Sequence, residues 1–254
     1  MISRVTLLLA ATATLAACTS AQATRERQQA RAATEFLERQ GSIADPGRVA
    51  AADFAFAKMA REDGLWTAFR EYAADDAVMD APTGYASASE LLAGREDPAE
   101  PIQWAPTDVW SSCDGTLAVT LGRFLRPNGL VGDYVTVWEL QSDNSYKWIY
   151  DTGTPDDPQP PAPDEEDIPE GAIVVPGLSA ITGRVADCPG DTGMPVPAAP
   201  VGAAGSDAGE AVAADGTLRA DWSRNPGGSR TITVRWLRER AWETASELMI
   251  PASD

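Results

Sequence analysis

Trp104-Ala-Pro-Thr-Asp-Val-Trp-Ser-Ser112, Thr116-Leu-Ala-Val-Thr-Leu-Gly-Arg-Phe-Leu-Arg126, Asp133-Tyr-Val-Thr-Val-Trp-Glu-Leu140 and Tyr146-Lys-Trp-Ile-Tyr-Asp151 follow one another through the middle of the chain. In each, apolar, aromatic and β-branched residues recur at every second position, the period of a strand with one buried face. Between them stand Asp114-Gly115, Pro127-Asn128-Gly129 and Ser142-Asp143-Asn144, residues that form tight turns. Four such strands predict an antiparallel meander. Because alternate residues share a face, Tyr134, Thr136 and Trp138 are expected together, as are Tyr146, Trp148 and Tyr150, with Trp104 and Trp110 joining them across the sheet. One face of the sheet is thus aromatic, either as core beneath covering helices or as the lining of a ligand pocket.

Upstream of the strands the period is helical. Asp45-Pro46 supplies a carboxylate N-cap with proline at the first helical position. Val49, Ala52, Phe56, Met59 and Ala60 then form one apolar stripe, and Gly64 ends the run. Phe54 points away from that stripe and predicts apolar neighbours on a second side. A second short helix carries Leu65, Trp66, Phe69 and Tyr72. A short strand is expected after Asp80, and a further short helix over Ser87–Gly94. Helices first and strands afterwards define the α+β class.

The C-terminal third reads differently. Residues 155–170 are an acidic, proline-rich linker with too little apolar surface to bury. That run has no spaced ligand loop, so solvation and not a metal accounts for its carboxylates. Ile173-Val-Val-Pro176 and Leu178–Val185 read as short strands or extended connections, and the Gly/Ala/Pro-rich stretch 189–214 as a loop. Leu218, Ala220 and Trp222, then Ile232, Val234 and Trp236, alternate about the turn Asn225-Pro-Gly-Gly228, with a third strand expected from Trp242 to Ile250. The fold expected is therefore a curved antiparallel sheet wrapped by N-terminal helices, with a C-terminal β hairpin or meander, residues 171–254, appended. A lone hairpin is barely stable in water, so its apolar face needs a partner.

The first residues carry an address. After one positive charge, Val5 to Ala17 is apolar but too short to cross a bilayer, as in a signal peptide. Its end, Leu15-Ala-Ala-Cys18, resembles the bacterial lipobox, which implies cleavage after residue 17 and lipid on Cys18. The other reading is an ordinary secretory leader cut at Ala-x-Ala, with Cys18 incidental. Thr19, in place of an inner-membrane retention aspartate, implies the outer membrane, facing the periplasm. Residues 18–45, with Arg25, Arg27, Arg31 and Arg39 among good helix formers, read as a helical tether, its arginines near anionic headgroups or in water.

Composition narrows the function classes. A net charge of -18 counts against a nucleic-acid partner, which needs clustered Lys and Arg. The chain has no histidine, which removes the commonest general base and metal ligand and every Ser-His or Cys-His pair. With Cys18 assigned to lipid, Cys113 and Cys188 remain as an even pair in an oxidising compartment. They form either a disulfide or two separate thiols.

Ala57-Lys-Met-Ala-Arg-Glu-Asp-Gly-Leu-Trp-Thr-Ala-Phe-Arg-Glu-Tyr-Ala-Ala-Asp-Asp-Ala-Val-Met79, together with Tyr146–Asp151, resembles the nuclear transport factor 2-like superfamily in its SnoaL-like branch. The likeness covers well under half of the chain and carries fold more than function. It implies a cone-shaped α+β domain over residues 46–154 with one apolar pocket. Trp66, Trp104, Tyr134, Trp138 and Trp148 are the residues expected to touch a ligand there. Asp75-Asp76 matches the family's helix-to-strand turn. Enzymes of the superfamily set a carboxylate in the pocket, and Asp80, Glu139 and Asp151 are the candidates, with Arg123 to orient one. No catalytic residue is assigned, and no metal or cofactor is expected. The reading that follows is an envelope lipoprotein with a small-molecule binding or accessory domain. Its alternatives are an enzyme using a single pocket carboxylate on a small hydrophobic substrate and a structural or partner-binding envelope protein.

Overall fold

The computed structural model describes residues 44–81, 84–161, 180–189 and 207–252, all within one compact unit, Ala44–Asp254. The expected signal peptide, Cys18 and the tether up to residue 43 lie outside the described residues, as does most of the acidic linker.

Helix α1, Pro46–Glu62, starts where the sequence places it. The Asp45 carboxylate accepts from the backbone N–H of Gly47 at 2.9 Å, and Pro46 gives up no hydrogen bond in the first turn. Val49, Phe56, Ala57 and Ala60 are buried along one face, and Phe54 is 44% exposed. The second apolar neighbour expected for Phe54 is therefore not there; that side faces water. Helix α2, Leu65–Tyr72, follows after Gly64, whose φ of 123° is open to glycine and strained for other residues. Its free N-terminal N–H groups are capped from 30 residues away, by Asp97, which accepts from Thr67 N at 3.0 Å and from Thr67 Oγ1 at 2.6 Å. Those bonds hold the Asp97 carboxyl below its ordinary range.

Strand β1, Ala73–Ala81, leaves α2 without a turn. Asp75 and Asp76, expected in a helix-to-strand turn, stand in its irregular stretch between Ala73 and Val78 with their side chains in water. The strand expected after Asp80 is thus the second of two, β2 being Gly84–Ser87; the short helix α3, Ala88–Leu92, comes next. Then run β3 (Gln103–Ser111), β4 (Leu117–Leu125), β5 (Val131–Leu140) and β6 (Tyr146–Pro155). Strand β7, Thr182–Val185, closes the sheet, whose order is β2-β1-β6-β5-β4-β3-β7. The central meander is antiparallel as expected. The sheet as a whole is mixed, because β1 pairs parallel to β6 and β7 parallel to β3.

The C-terminal region is a second, four-stranded antiparallel sheet, β11-β10-β9-β8, formed by Ala208–Val212 (β8), Leu218–Arg224 (β9), Arg230–Arg238 (β10) and Ala241–Ile250 (β11). The stretch expected as a loop up to residue 214 ends in a strand. Its small residues are what the site needs, since a Cβ on Gly209 would run into the Trp222 ring.

Two cores result. Helices α1 to α3 cover one face of the seven-stranded sheet around Phe56, Val109, Trp138 and Trp148. The second sheet covers the other face, and Trp110, Val119, Val137 and Tyr150 meet Leu218, Trp222, Ile232 and Trp236. Tyr150 stacks on Trp222 with ring centroids 4.5 Å apart and planes 7° from parallel. The partner that the C-terminal apolar face requires is thus the back of the first sheet.

Two β-bulges decide which residues reach which core. One lies at Thr107, between the pairs Pro106/Gly122 and Asp108/Leu121; the other at Ile149, between Val137/Tyr150 and Trp138/Trp148. Each extra residue reverses the alternation beyond it. Trp104 and Trp148 consequently face the helices while Trp110 and Tyr150 face the second sheet, contrary to a strict period of two.

The turns of the two sheets are clasped through one repeated tetrapeptide, Asp114-Gly-Thr-Leu117 and Asp215-Gly-Thr-Leu218. Asp114 N donates to Asp215 Oδ2 at 2.7 Å, and Asp215 N returns a bond to Asp114 Oδ2 at 2.9 Å. Thr217 Oγ1 accepts from Cys113 N at 2.9 Å, and Thr116 Oγ1 accepts from Ala214 N at 3.0 Å. Beside this clasp a disulfide joins Cys113 to Cys188, which settles the choice between a bridge and two thiols.

Candidate functional site

A pocket of about 140 Å³ lies against α2, the start of β3 and the ends of β4 and β6. Its apolar wall comes from Phe56, Trp66, Phe69, Trp104 and Phe124; Arg126, Tyr134 and Asp151 supply its polar groups. Phe56 is the hub of the wall, with ring centroids 4.8 Å from both Phe69 and Trp104. Trp66 and Phe69 lie about one turn apart on α2, so the Asp97 cap that starts this helix also sets the wall. On the sheet side, Gly122 and Gly153 leave room for the rings. A Cβ at Gly122 would stand 2.7 Å from the Tyr134 hydroxyl, and one at Gly153 would stand 3.3 Å from the Phe124 ring.

Behind this wall is a buried acid. Asp53 of α1 is fully enclosed and accepts from Trp104 Nε1 at 2.9 Å and from the Tyr134 hydroxyl at 3.1 Å. Thr120, whose hydroxyl accepts from Trp138 Nε1 at 3.0 Å, is a further partner of the same carboxyl. Burial nonetheless outweighs these bonds and pushes Asp53 up to about 6. Asp53 does not line the pocket; it fixes two residues that do.

Asp151 does line it. It accepts from Thr136 Oγ1 at 2.6 Å, and burial, with the Asp53 and Asp80 charges adding, pushes it up to about 7. Between these acids stands Tyr134, whose hydroxyl is pushed far above its ordinary range by burial and by the Asp53 carboxylate. While Asp53 is ionised the Tyr134 hydrogen is engaged and only its oxygen lone pairs are free. A protonated Asp53 can return a hydrogen to that oxygen, which frees the phenol to donate. The pocket thus holds one carboxyl that changes charge near neutrality and one hydroxyl whose polarity follows a second carboxyl.

Of the residues expected on the ligand face, Trp66, Trp104 and Tyr134 line the pocket. Trp138 and Trp148 do not; each is fully buried in the core, with its indole N–H satisfied by Thr120 Oγ1 and by the Phe69 carbonyl at 3.1 Å. Among the candidate acids only Asp151 reaches the pocket. Asp80 is bound by Arg230 from the second sheet and by Thr152 Oγ1 at 3.1 Å, and Glu139 is exposed at the opposite end of β5. Arg123 orients Asp133, at 2.6 Å, and Asp156 instead of any candidate. Asp53, Phe124 and Arg126 were not singled out from the sequence. Asp53 left a readable sign there, a lone acid spaced four after Val49 and three before Phe56 on the apolar stripe.

No family model matches the chain, and no curated protein matches it. Among the described residues no group of three His, Cys, Asp or Glu side chains is placed to hold a metal ion, and no helix is long and apolar enough to cross a membrane.

Proposed function

We propose that this chain is a bacterial envelope lipoprotein, anchored through Cys18 in the outer membrane, whose SnoaL-like domain binds one small, largely apolar molecule. The helices and curved sheet of that domain form the cone around the ligand. The observation that carries the reading is the pocket itself: about 140 Å³, walled by five aromatic rings, with a few polar groups converging on it. A cavity of about 150 Å³ lined by apolar side chains takes up benzene, so the space suits one six-membered ring. The purified full chain, released from its ligand by denaturation, is expected to yield a ring-sized compound by mass spectrometry. Recovery of nothing, together with a failure to bind any monocyclic compound, would overturn the binding role. The anchor has its own test, a fatty-acyl mass on an N-terminal peptide that begins at Cys18.

A second reading is favoured by one specific observation, the placement of Asp151 in the pocket with a pKa of about 7. A carboxyl that exchanges its proton near neutrality is matched to general acid or base work, with Tyr134 beside it to bind an oxygen of the substrate. This is the single-carboxylate enzyme, with an isomerase, hydrolase or cyclase type of reaction. Conversion of a bound ring compound by the wild type, and its loss in Asp151→Asn with binding retained, separates the enzyme from the binding module.

A further inference from the structure

Arg126 follows the last residue of β4, at the first position of a turn closed by hydrogen bonds from Arg126 N to the Leu130 carbonyl and from Gly129 N to the Arg126 carbonyl. That turn sets its side chain across the Phe124 ring, with the guanidinium carbon 5.4 Å from the ring centroid, and Arg126 is part of the pocket wall. Its Nε is enclosed and has no hydrogen-bond partner. Arg123, Arg184, Arg219, Arg230 and Arg235 each hold a carboxylate. Arg126 makes no ion pair among the described residues, although Glu100 borders the neighbouring groove with it. An enclosed guanidinium N–H without an acceptor is costly, and its planar fork of donors fits a carboxylate bidentately.

Resting on the reading of the pocket as a ring-sized binding site, we infer that its ligand is a monocyclic carboxylic acid, bound as the anion. The ring lies among Trp66, Phe69 and Trp104, and its carboxylate is received by Arg126 stacked on Phe124. The apolar walls exclude a strongly hydrated inorganic anion, which would find one cationic side chain and five aromatic rings. Asp151 and Tyr134 are left to meet a hydroxyl or carbonyl elsewhere on the ring.

Calorimetric titration of the full chain in detergent, at pH 6, with benzoate and with its neutral isostere benzamide tests this. At that pH the ligand is ionised, while Asp151, below its value of about 7, is mostly neutral and does not repel it. Benzoate is expected to bind at least tenfold more tightly than benzamide. Arg126→Gln should remove that preference, and Arg126→Lys should restore part of it. Equal binding of the two probes, or a benzoate affinity indifferent to Arg126→Gln, would overturn the assignment of the anion and leave the ring-sized pocket standing. Binding of neither probe would overturn both.

Discussion

Replacing Asp53 by Asn should make the protein more stable at pH 8 and leave its stability nearly unchanged at pH 4.5. The carboxyl is raised from an ordinary value of 3.8 to about 6, so the folded protein holds this proton more tightly than the unfolded chain does. Its favourable contribution is whole below about pH 4 and is lost as the pH rises through about 6. At about 1.36 kcal/mol per unit, the ionised folded state at pH 8 carries a penalty of about 3 kcal/mol. Asparagine removes that penalty. Its amide oxygen can still accept from Trp104 Nε1, and its amide nitrogen can donate to a Tyr134 hydroxyl turned round to accept, at a cost of about 1 kcal/mol for the rearranged bond. The net gain is about 2 kcal/mol at pH 8 and falls to about zero at pH 4.5, where ionisation of the unfolded chain alone already leaves a penalty of about 1 kcal/mol to offset the cost. Urea unfolding of both chains at the two pH values, with ΔG compared as a difference, cancels the surface carboxylates common to them. Equal destabilisation by Asp53→Asn at both pH values would refute the claim that Asp53 is charged against its surroundings.

Asp114→Ala removes the acceptor for the backbone N–H groups of Thr116 and Asp215 and for the hydroxyls of Ser112 and Thr116, and should cost about 2–4 kcal/mol in urea unfolding. Asp215→Ala should cost about as much, and the double variant less than the sum, because the two residues share one clasp. Asp97→Ala uncaps α2 and should lower stability by about 1–2 kcal/mol, with a matching broadening of the Trp66 indole resonance in NMR spectra as the aromatic wall loosens. Reducing Cys113–Cys188, which closes a loop of 75 residues, should lower stability by about 4 kcal/mol, read as a fall in melting temperature with added dithiothreitol.

Much of the fold is legible in residue spacing because the signals there are local. Asp45-Pro46 starts a helix, Gly64 stops it, and three hairpin turns space four strands; each choice is made by a few neighbouring residues. What spacing does not carry is the pairing of distant segments. Nothing in Thr182–Val185 says that it runs parallel to β3, and nothing in Ala73–Ala81 says that it lies parallel to β6. The site was half legible for the same reason. Trp66, Trp104 and Tyr134 reach the pocket from positions that alternation or helical spacing assigns to a buried face. Asp97 caps a helix across 30 residues, and Arg126 enters the wall because a turn aims it there; neither placement has a local signature.

The bulge at Ile149 links the pocket to the second sheet. Without it, the face that holds Trp148 would also receive Tyr150, and Asp151 would point to the back of the sheet. With it, Tyr150 turns outward to stack on Trp222, and Asp151 falls opposite Thr136 on the helix side. One inserted residue therefore supplies both an aromatic anchor for the C-terminal sheet and the only candidate acid that lines the pocket. The bulge at Thr107 does the same on β3, sending Trp110 outward while Trp104 stays inward to bond Asp53. A sheet with one face in water would have to expose Trp110 and Tyr150 if it kept both bulges, an apolar patch at odds with a stable surface. The second sheet removes that conflict. Its presence in the same chain is what allows the first sheet to carry an aromatic face on each side and still turn an acid into the pocket.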